Sequence, residues 1–210
     1  MGHTVAMKIR KYRPEDRSDC YDVCVRTGQG GQDATGLYSD DDLIPDIFCG
    51  PYVDLEPALA FVLDSGERVV GYALAAGDTR AFVERYRADV LPGFAARFGG
   101  AHVASDDERE MIDLGLHPER MLIPEVDRFP AHLHIDLLPE AQGKGYGRHL
   151  IEALLDELTA QGVPGVHLEM DAANHGAGAF YARLGFERLD SDDEGSIRFA
   201  MRLPRGPLGR

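Results

Sequence analysis

The sequence predicts an α/β fold, because a helical pattern and strand patterns alternate along its second half. Over 147–161, apolar residues recur at helical spacing and place Leu150 and Leu154 on one face. The next segment, 165–170, alternates apolar and polar residues, as a strand does. A chain of 210 residues with 44% hydrophobic content suits one domain with a buried core. We therefore predict one domain over 1–203, with helices on both faces of a central sheet.

The other elements follow from alternation, turn residues and helix boundaries. Strands are predicted at 5–12, 59–63, 69–75, 131–138, 165–170, 186–189 and 196–202. Helices are predicted at 14–26, 147–161 and 175–184. Glycine is frequent over 27–36, which predicts a loop, and 204–210 is expected to be a flexible tail.

Residues 78–130 are predicted to be an inserted helical segment. Its first helix is expected to end at Pro92 and Gly93, since proline and glycine both disfavour a continuing helix. Ser105 and Glu108 have the spacing of a capping box at the start of another helix. We expect this insertion to cover part of the domain.

The bulk composition excludes several classes of function. A net charge of −14 argues against nucleic acid as a partner, since an acidic surface repels phosphates. The same acidity suits a cationic substrate, although it also simply keeps a protein soluble. Three cysteines, an odd number, give no disulfide framework and indicate a reducing compartment. No apolar run approaches the roughly 20 residues of a membrane span, and no signal peptide is visible, so we expect a cytoplasmic protein.

A glycine-rich loop lies between a predicted strand and a predicted helix. Its glycines alternate along the chain at Gly143, Gly145 and Gly147. Without Cβ atoms the backbone N–H groups can converge on an anion, and the following helix points its positive end at the same place. Lys144 and Arg148 can add charge at the rim. The pattern therefore predicts a loop that binds pyrophosphate.

Two other phosphate-binding patterns can be compared with this loop. The P-loop string, Gly-x4-Gly-Lys-Ser/Thr, does not occur in the sequence. The dinucleotide fingerprint needs Gly-x-Gly-x-x-Gly, whereas this loop reads Gly-x-Gly-x-Gly. Glu169 does end the next strand where a ribose-binding acid belongs, so a nucleotide-dependent oxidoreductase stays open as an alternative.

Two segments resemble the motifs of a known family. The run Gln142–Gly147 resembles Gln/Arg-x-x-Gly-x-Gly/Ala, the acetyl-CoA motif of the GNAT superfamily. Asn174, followed by Phe180–Phe186, resembles the second motif of that family in position and spacing. The resemblance implies the GNAT fold, which is a mixed, mostly antiparallel sheet of six to seven strands flanked by helices. In this chain the fold would carry the helical insertion at about 78–130.

The resemblance also implies an activity: direct transfer of an acetyl group from acetyl-CoA, as co-substrate, to an amine in a ternary complex. The cofactor-binding residues that it implies are Leu137, Leu138, Gln142, Gly143, Lys144, Gly145, Tyr146, Gly147, Arg148, Asn174 and Tyr181. Tyr181 matches the general acid for the departing thiolate, although a tyrosine on a short helix also suits the core. Asn174 matches a residue that bonds the pantetheine arm, and it equally suits a helix N-cap.

The general base and the substrate pocket are less well defined. Asp136 and His134 lie two residues apart on the cofactor strand and so share a face, where either can act as the base or form a structural hydrogen bond. Candidates for the substrate pocket are Asp33, Tyr38 and Asp171. With His132 the strand presents three possible metal ligands on one face, but no further ligand can be identified, and we predict no metal.

A narrower likeness involves the segments Thr27–Gly28, Asp33–Thr35, Gly50–Tyr52 and His132–Pro139. They resemble bacterial relatives of the acetyltransferase-like domain of O-GlcNAcase. The animal domain lacks the intact cofactor loop, whereas this chain keeps it, so cofactor binding is expected here. These resemblances imply two alternative functions: an N-acetyltransferase for a small-molecule or protein amine, and a non-catalytic acyl-CoA-binding module. A monomer or a homodimer is expected.

Overall fold

A seven-stranded sheet forms the centre of the protein. In this computed structural model, residues 7–100, 105–172, 174–190 and 195–204 are described. The strands are β1 (Lys8–Lys11), β2 (Ala60–Asp64), β3 (Val69–Ala76), β4 (Ala131–Leu137), β5 (Gly165–Asp171), β6 (Glu187–Leu189) and β7 (Ser196–Arg202). Their order across the sheet is β1-β2-β3-β4-β5-β7-β6. The α/β class and the number of strands are as the sequence predicts.

The pairing of β4 with β5 differs from that of every other neighbouring pair in the sheet. These two strands are parallel, whereas the others are antiparallel. A parallel pair needs a crossover connection, and a long helix after β4 supplies it. The two strands pair only through Ala131 with Val166 and His132 with His167. Beyond these residues they diverge, which leaves a gap in the sheet where the sequence places the cofactor.

Eight α-helices surround the sheet among the described residues. They are α1 (Arg17–Thr27), α2 (Leu43–Phe48), α3 (Gly50–Leu55), α4 (Thr79–Arg85), α5 (Leu91–Phe98), α6 (Asp106–Leu116), α7 (Tyr146–Ala160) and α8 (His175–Arg183). The apolar side of α7 packs against β2, β3 and β4 on one face of the sheet. On the other face, α1 packs against β3 and β4, and α3 packs against β3. Both faces of the central strands are therefore covered by helices.

The described part of the insertion is helical, as predicted, but the first helix does not stop where the sequence suggests. Helix α4 ends at Arg85, a π-helical turn follows over Tyr86–Val90, and α5 starts at Leu91. Pro92 therefore lies in the first turn of a helix, where its missing N–H removes no hydrogen bond. The expectation that Pro92 and Gly93 end a helix is wrong for this reason.

Polar and apolar contacts attach the insertion to the rest of the domain. The Ser105 hydroxyl accepts a hydrogen bond from the Glu108 amide at 3.1 Å, as the capping pattern predicts. The buried Glu108 carboxylate accepts a hydrogen bond from the Ser39 hydroxyl at 2.9 Å. A small apolar cluster joins α2 to α5 and α6 through Leu43, Ile47, Phe94, Phe98 and Ile112. The insertion is thus packed against α2 and the segment that precedes it.

Two predictions, the tail and the first strand, fall partly outside the described residues. The predicted tail at 204–210 lies outside them except for Pro204, and the predicted first strand begins within residues 1–6. Among the described residues, no helix has the length and apolar character that a membrane crossing requires.

Candidate active site

A cleft of about 650 Å³ lies at the gap between β4 and β5. Its floor is formed by residues 135–137 of β4, and the glycine-rich loop between β4 and α7 lines one end. Residues 30–32 of the loop after α1 and residues of α8 form the walls. The divergence of one strand pair therefore brings together four segments that are distant in sequence.

The glycine-rich loop has the backbone conformation of an anion-binding turn. Gly143 and Gly145 have φ angles of +70° and +85°, which side chains with a Cβ rarely adopt. A Cβ on either glycine would meet nothing within 4 Å, so the backbone is open to the cleft. Gly145 directly precedes the first turn of α7, whose free N–H groups carry a partial positive charge. The loop therefore fits a phosphate or pyrophosphate group.

The side chains of the loop have different surroundings. The Gln142 side-chain amide donates to the Leu137 carbonyl at 2.8 Å and ties the loop to the end of β4. Arg148 lines the cleft and pairs with Glu152 at 2.8 Å. Lys144 donates to the Glu140 carbonyl at 2.7 Å, on its own loop. Tyr146 is half-buried against the core, and neither it nor Lys144 is among the residues that line the cleft.

The backbone of β4 determines which amides face the cleft. The Leu138 amide donates to the Val70 carbonyl at 2.9 Å, so this residue is engaged by β3, and its side chain is fully buried. In an antiparallel pair, backbone groups of alternate residues point to alternate neighbours. Ile135 and Leu137 therefore direct their backbone groups toward β5, which has already diverged at this level. The structure thus places Leu137 at the cleft, and it places Leu138 in the sheet.

Asp136 is a partly buried carboxylate on the floor of the cleft. Tyr72, directly opposite on β3, donates a hydrogen bond to its Oδ2 atom at 2.7 Å. Burial raises the pKa of Asp136, and the hydrogen bond from Tyr72 opposes that rise. A carboxylate with a raised pKa in an open cleft is suited to accept a proton.

Tyr181 and Asn174 form the wall that α8 contributes. Tyr181 lines the cleft with 7% of its surface exposed, and its ring packs against Phe186 and Phe199. Burial, and secondarily the negative charge of Asp136, raises the pKa of Tyr181, so its hydroxyl keeps its proton at neutral pH. Asn174 accepts a hydrogen bond from the Ala177 amide at 3.1 Å and so caps α8.

A hydrogen bond connects the loop after α1 with the start of α8. The Asn174 side-chain amide donates to the Gly30 carbonyl at 3.4 Å, and a Cβ on Gly31 would lie 3.6 Å from the same amide nitrogen. The loop after α1 therefore crosses from its own helix to the start of α8. Asn174 can fill both of the roles that the sequence suggests, because the cap uses only its oxygen.

His134 lies on the same face of β4 as Asp136 and is half-buried like it, but its ring contacts Tyr52 and it does not line the cleft. The Tyr52 hydroxyl lies 2.9 Å from Nε2 of His134 and 2.8 Å from Nε2 of His132. Thr79 donates to the Pro130 carbonyl at 2.7 Å, so its oxygen accepts from Nδ1 of His132 at 2.8 Å. Since Nδ1 of His132 donates, its Nε2 carries no proton and accepts from the Tyr52 hydroxyl. The Tyr52 oxygen in turn accepts a hydrogen bond from Nε2 of His134.

Burial keeps this histidine pair neutral. It lowers the pKa of His134 to about 4, with a further lowering by the positive charge of Arg120. It also lowers the pKa of His132 well below its usual range. His134 is absent from the residues that line the cleft. In the described part of the chain, no group of His, Cys, Asp and Glu side chains is arranged to hold a metal ion.

The three candidates for the substrate pocket lie outside the cleft lining. Asp33 is exposed and accepts hydrogen bonds from the amide and hydroxyl of Thr35, at 2.9 and 2.6 Å, within a local turn. Tyr38 is half-buried between two apolar clusters. Asp171 ends β5, and its carboxylate would lie 3.8 Å from a Cβ on Gly30, a residue that lines the cleft.

Several cleft residues were not identified from the sequence. Thr27, Ile135 and Phe180 line the cleft, and Tyr72 contacts Asp136 from behind. The glycine-rich character of 27–36 marked a loop but not its position over the gap between β4 and β5. These residues meet through tertiary packing, which local sequence patterns do not report.

Comparison with known proteins assigns the class. The Acetyltransferase (GNAT) family matches residues 31–186, which is most of the chain. This protein belongs to the GNAT acetyltransferase family, as its two motifs indicated. The seven-stranded sheet flanked by helices is accordingly a GNAT fold.

Three known proteins are similar to this chain over different lengths. Protein O-GlcNAcase of Rattus norvegicus is 27% identical over 182 residues, covering 84% of this chain and 20% of the relative. The chain thus spans about a fifth of the length of that protein. The crystal structure of SsHAT is 47% identical, with a TM-score of 0.88, and the match covers 94% of this chain and 98% of SsHAT. Mycothiol acetyltransferase of Paenarthrobacter aurescens (strain TC1) is 45% identical over 58 residues, which are 28% of this chain and 18% of that protein.

Proposed function

We propose that this protein is an acetyl-CoA-dependent N-acetyltransferase that transfers the acetyl group to an amine by direct attack in a ternary complex. One observation carries the proposal: a single cleft joins an anion-binding glycine loop, a carboxylate with a raised pKa and a protonated tyrosine. Direct transfer needs a site that holds the acyl donor, accepts a proton from the amine and supplies a proton to the departing sulfur. These requirements are met by different walls of the same cleft.

The residues of the cleft fit acetyl-CoA. Gly143, Gly145 and the N-terminus of α7 would hold the pyrophosphate, with Arg148 at the rim. The backbone groups of Ile135 and Leu137 would pair with the pantetheine arm, and the Asn174 side chain would bond it from the opposite wall. When bound, acetyl-CoA supplies an acetyl group activated as a thioester.

Three groups of the chain would carry the reaction. Asp136 accepts a proton from the attacking amine, because its raised pKa suits a base and it faces the cleft. The Leu137 amide donates a hydrogen bond to the acetyl oxygen as charge develops there. Tyr181, held protonated by burial, donates its proton to the sulfur. His134 was an equal candidate for the base, but its engagement by Tyr52 favours Asp136.

The acceptor would enter from the side opposite the glycine loop. Thr27 and residues 30–32 line the cleft together with Asp136 and belong to the α1 side, away from the glycine-rich loop in sequence. The acidic chain, with a net charge of −14, suits a cationic amine at this entrance. We propose a small-molecule or protein-borne amine as the acceptor.

A turnover assay tests this function. Release of free thiol from acetyl-CoA would be followed with a panel of amines: simple primary amines, diamines, amino sugars and lysine- or N-terminal peptides. The proposal expects thiol release that depends on both the protein and one amine class, with acetylated amine in equal amount by mass spectrometry. Saturable acetyl-CoA binding without release across the panel would instead favour a non-catalytic acyl-CoA-binding module, the alternative that kinship with O-GlcNAcase raises.

A further inference from the structure

The hydroxyl of Tyr72 reaches Asp136 from the interior of the protein. Tyr72 lies on β3, faces Asp136 in the register of the sheet and has no exposed surface. Its Oη donates to Oδ2 of Asp136 at 2.7 Å, an ordinary distance for a hydrogen bond to a carboxylate. Tyr72 is absent from the residues that line the cleft, whereas Asp136 is among them. One carboxylate oxygen is therefore held from behind while the residue faces the cleft.

The other groups near Asp136 come from three further parts of the chain. Cys24 and Thr27 lie on α1, Cys49 joins α2 to α3, and Tyr181 lies on α8. Burial is the largest cause of the raised pKa values of Cys24 and Tyr181, and the negative charge of Asp136 raises them further. The pKa of Cys49 is raised by a hydrogen bond with Cys20 and by burial, with a smaller contribution from Asp136. These thiol and phenol groups are uncharged at neutral pH, so they do not neutralise the carboxylate.

We infer that Tyr72 is a positioning residue for the general base: it holds Asp136 through Oδ2 from the interior while the carboxylate faces the cleft and the incoming amine. The inference rests on the proposed function, since it needs Asp136 to be the base. During the reaction the amine nitrogen loses a proton to Asp136, and Tyr72 keeps its own proton. Its hydrogen bond favours the charged carboxylate, which burial disfavours. Tyr72 thereby favours the ionised form of the base, and a hydrogen bond with Thr27 acts on the pKa of Asp136 in the same direction.

Two readouts of one variant test this role. In Tyr72→Phe, the carbon-13 signal of the Asp136 carboxyl, assigned by its loss in Asp136→Asn, should titrate about one to two pH units higher in the free protein. The acidic limb of the kcat/KM profile should move by the same amount, so activity falls about tenfold or more below the midpoint and recovers at high pH. Acetyl-CoA affinity by calorimetry should change less than about threefold.

A control variant and a substitute for Tyr72→Phe complete the test. Tyr86→Phe removes another buried tyrosine hydroxyl, one that donates to the Gly115 carbonyl at 3.0 Å within the insertion, and it should leave both midpoints in place. If Tyr72→Phe fails to fold, 3-fluorotyrosine at position 72 keeps the shape and strengthens the donor. Its expected effect is a lower midpoint for Asp136.

The outcomes separate this inference from the proposed function. An Asp136 titration that is the same in wild-type protein, Tyr72→Phe and the fluorotyrosine protein would overturn the role of Tyr72, even if the wild-type protein is an active acetyltransferase. A wild-type protein that releases no thiol with any amine would overturn the proposed function. The carboxyl titration would still measure the hydrogen bond in that case, and a shifted midpoint would support it.

Discussion

The two halves of β4 carry similar side chains in different surroundings. In the first half, His132 and His134 are engaged by Tyr52, and β5 pairs with the strand as far as His132. In the second half, β5 has diverged, and Asp136 has Tyr72 behind it and the cleft in front. Three polar residues on one face of one strand therefore divide into a closed histidine pair and an open carboxylate.

This difference shows that reactivity follows from strand pairing and packing rather than from residue type. A histidine is ordinarily a good base near neutral pH. Burial removes that property from His134 by lowering its pKa to about 4. The same effect raises the pKa of Asp136 toward the range where a carboxylate can act as a base. The comparison leads to four predictions, in order of decreasing effect.

Gly145→Asp, in the glycine-rich loop of the cleft, should cause the largest loss of acetyl-CoA affinity. An aspartate there adds a negative charge and a side chain where the pyrophosphate is expected, at a φ of +85°. We expect acetyl-CoA affinity to fall at least about 100-fold, or ~2.7 kcal/mol, by calorimetry. Gly162→Asp is the matched control, since Gly162 has a φ of +76°, an equally open Cβ direction and a place after the far end of α7. Equal losses in both variants would contradict the assignment of the loop.

Asp136→Asn should lower kcat much more than a substitution at His134, on the other half of β4. We expect kcat to fall about 10²–10³-fold, because the base is lost, with acetyl-CoA affinity nearly unchanged. His134→Gln, which keeps a donor in place of Nε2, should change kcat less than about threefold. Steady-state kinetics of both variants with the amine found in the panel measure this. The opposite ranking would identify His134 as the base and overturn our interpretation of the closed half.

Tyr181→Phe should slow turnover about ten- to 100-fold while leaving acetyl-CoA affinity within about threefold. The ring keeps its packing against Phe186 and Phe199, so only the proton donor is removed. Comparing kcat with a calorimetric affinity separates the two effects. An unaltered kcat would return Tyr181 to a purely structural role.

The closed half should determine how stability depends on pH. The pKa values of His132, His134 and His167 are lowered in the folded protein, so the unfolded chain binds more protons below its histidine pKa of about 6.5. Stability is therefore fully present above pH 6.5 and falls as the pH approaches 4. We expect His134→Gln to reduce this slope by up to about 1.4 kcal/mol per pH unit. Urea unfolding at several pH values measures the slope, and equal slopes would show that His134 is already protonated in the folded state.

The sequence predicted the regular elements and the loop well, because both follow from local rules. The strand at 131–138, the helix at 147–161 and the glycines between them appear in the structure within one residue of their predicted bounds. The conformation at Gly143 and Gly145 is the one that only glycine adopts readily, so the sequence signal was direct.

The partners of the site residues could not be predicted in the same way. Tyr52 lies on α3, in a segment to which the sequence analysis assigned no helix, and its contacts with His132 and His134 span about 80 residues. Tyr72 was assigned to a strand, but its position opposite Asp136 depends on the register of β3 with β4. Such contacts follow from how elements pack, and a single sequence does not encode them in a local pattern.

The most direct test of the central claim is a calorimetric titration of the wild-type protein with acetyl-CoA, with NAD and ATP as controls. We predict saturable binding of acetyl-CoA at micromolar affinity, about −8 kcal/mol, and little or no heat with the controls. Selective binding of this kind would support the assignment of the cleft as an acyl-CoA site. Binding of NAD in preference to acetyl-CoA would contradict the account and point to a different chemistry for the cleft.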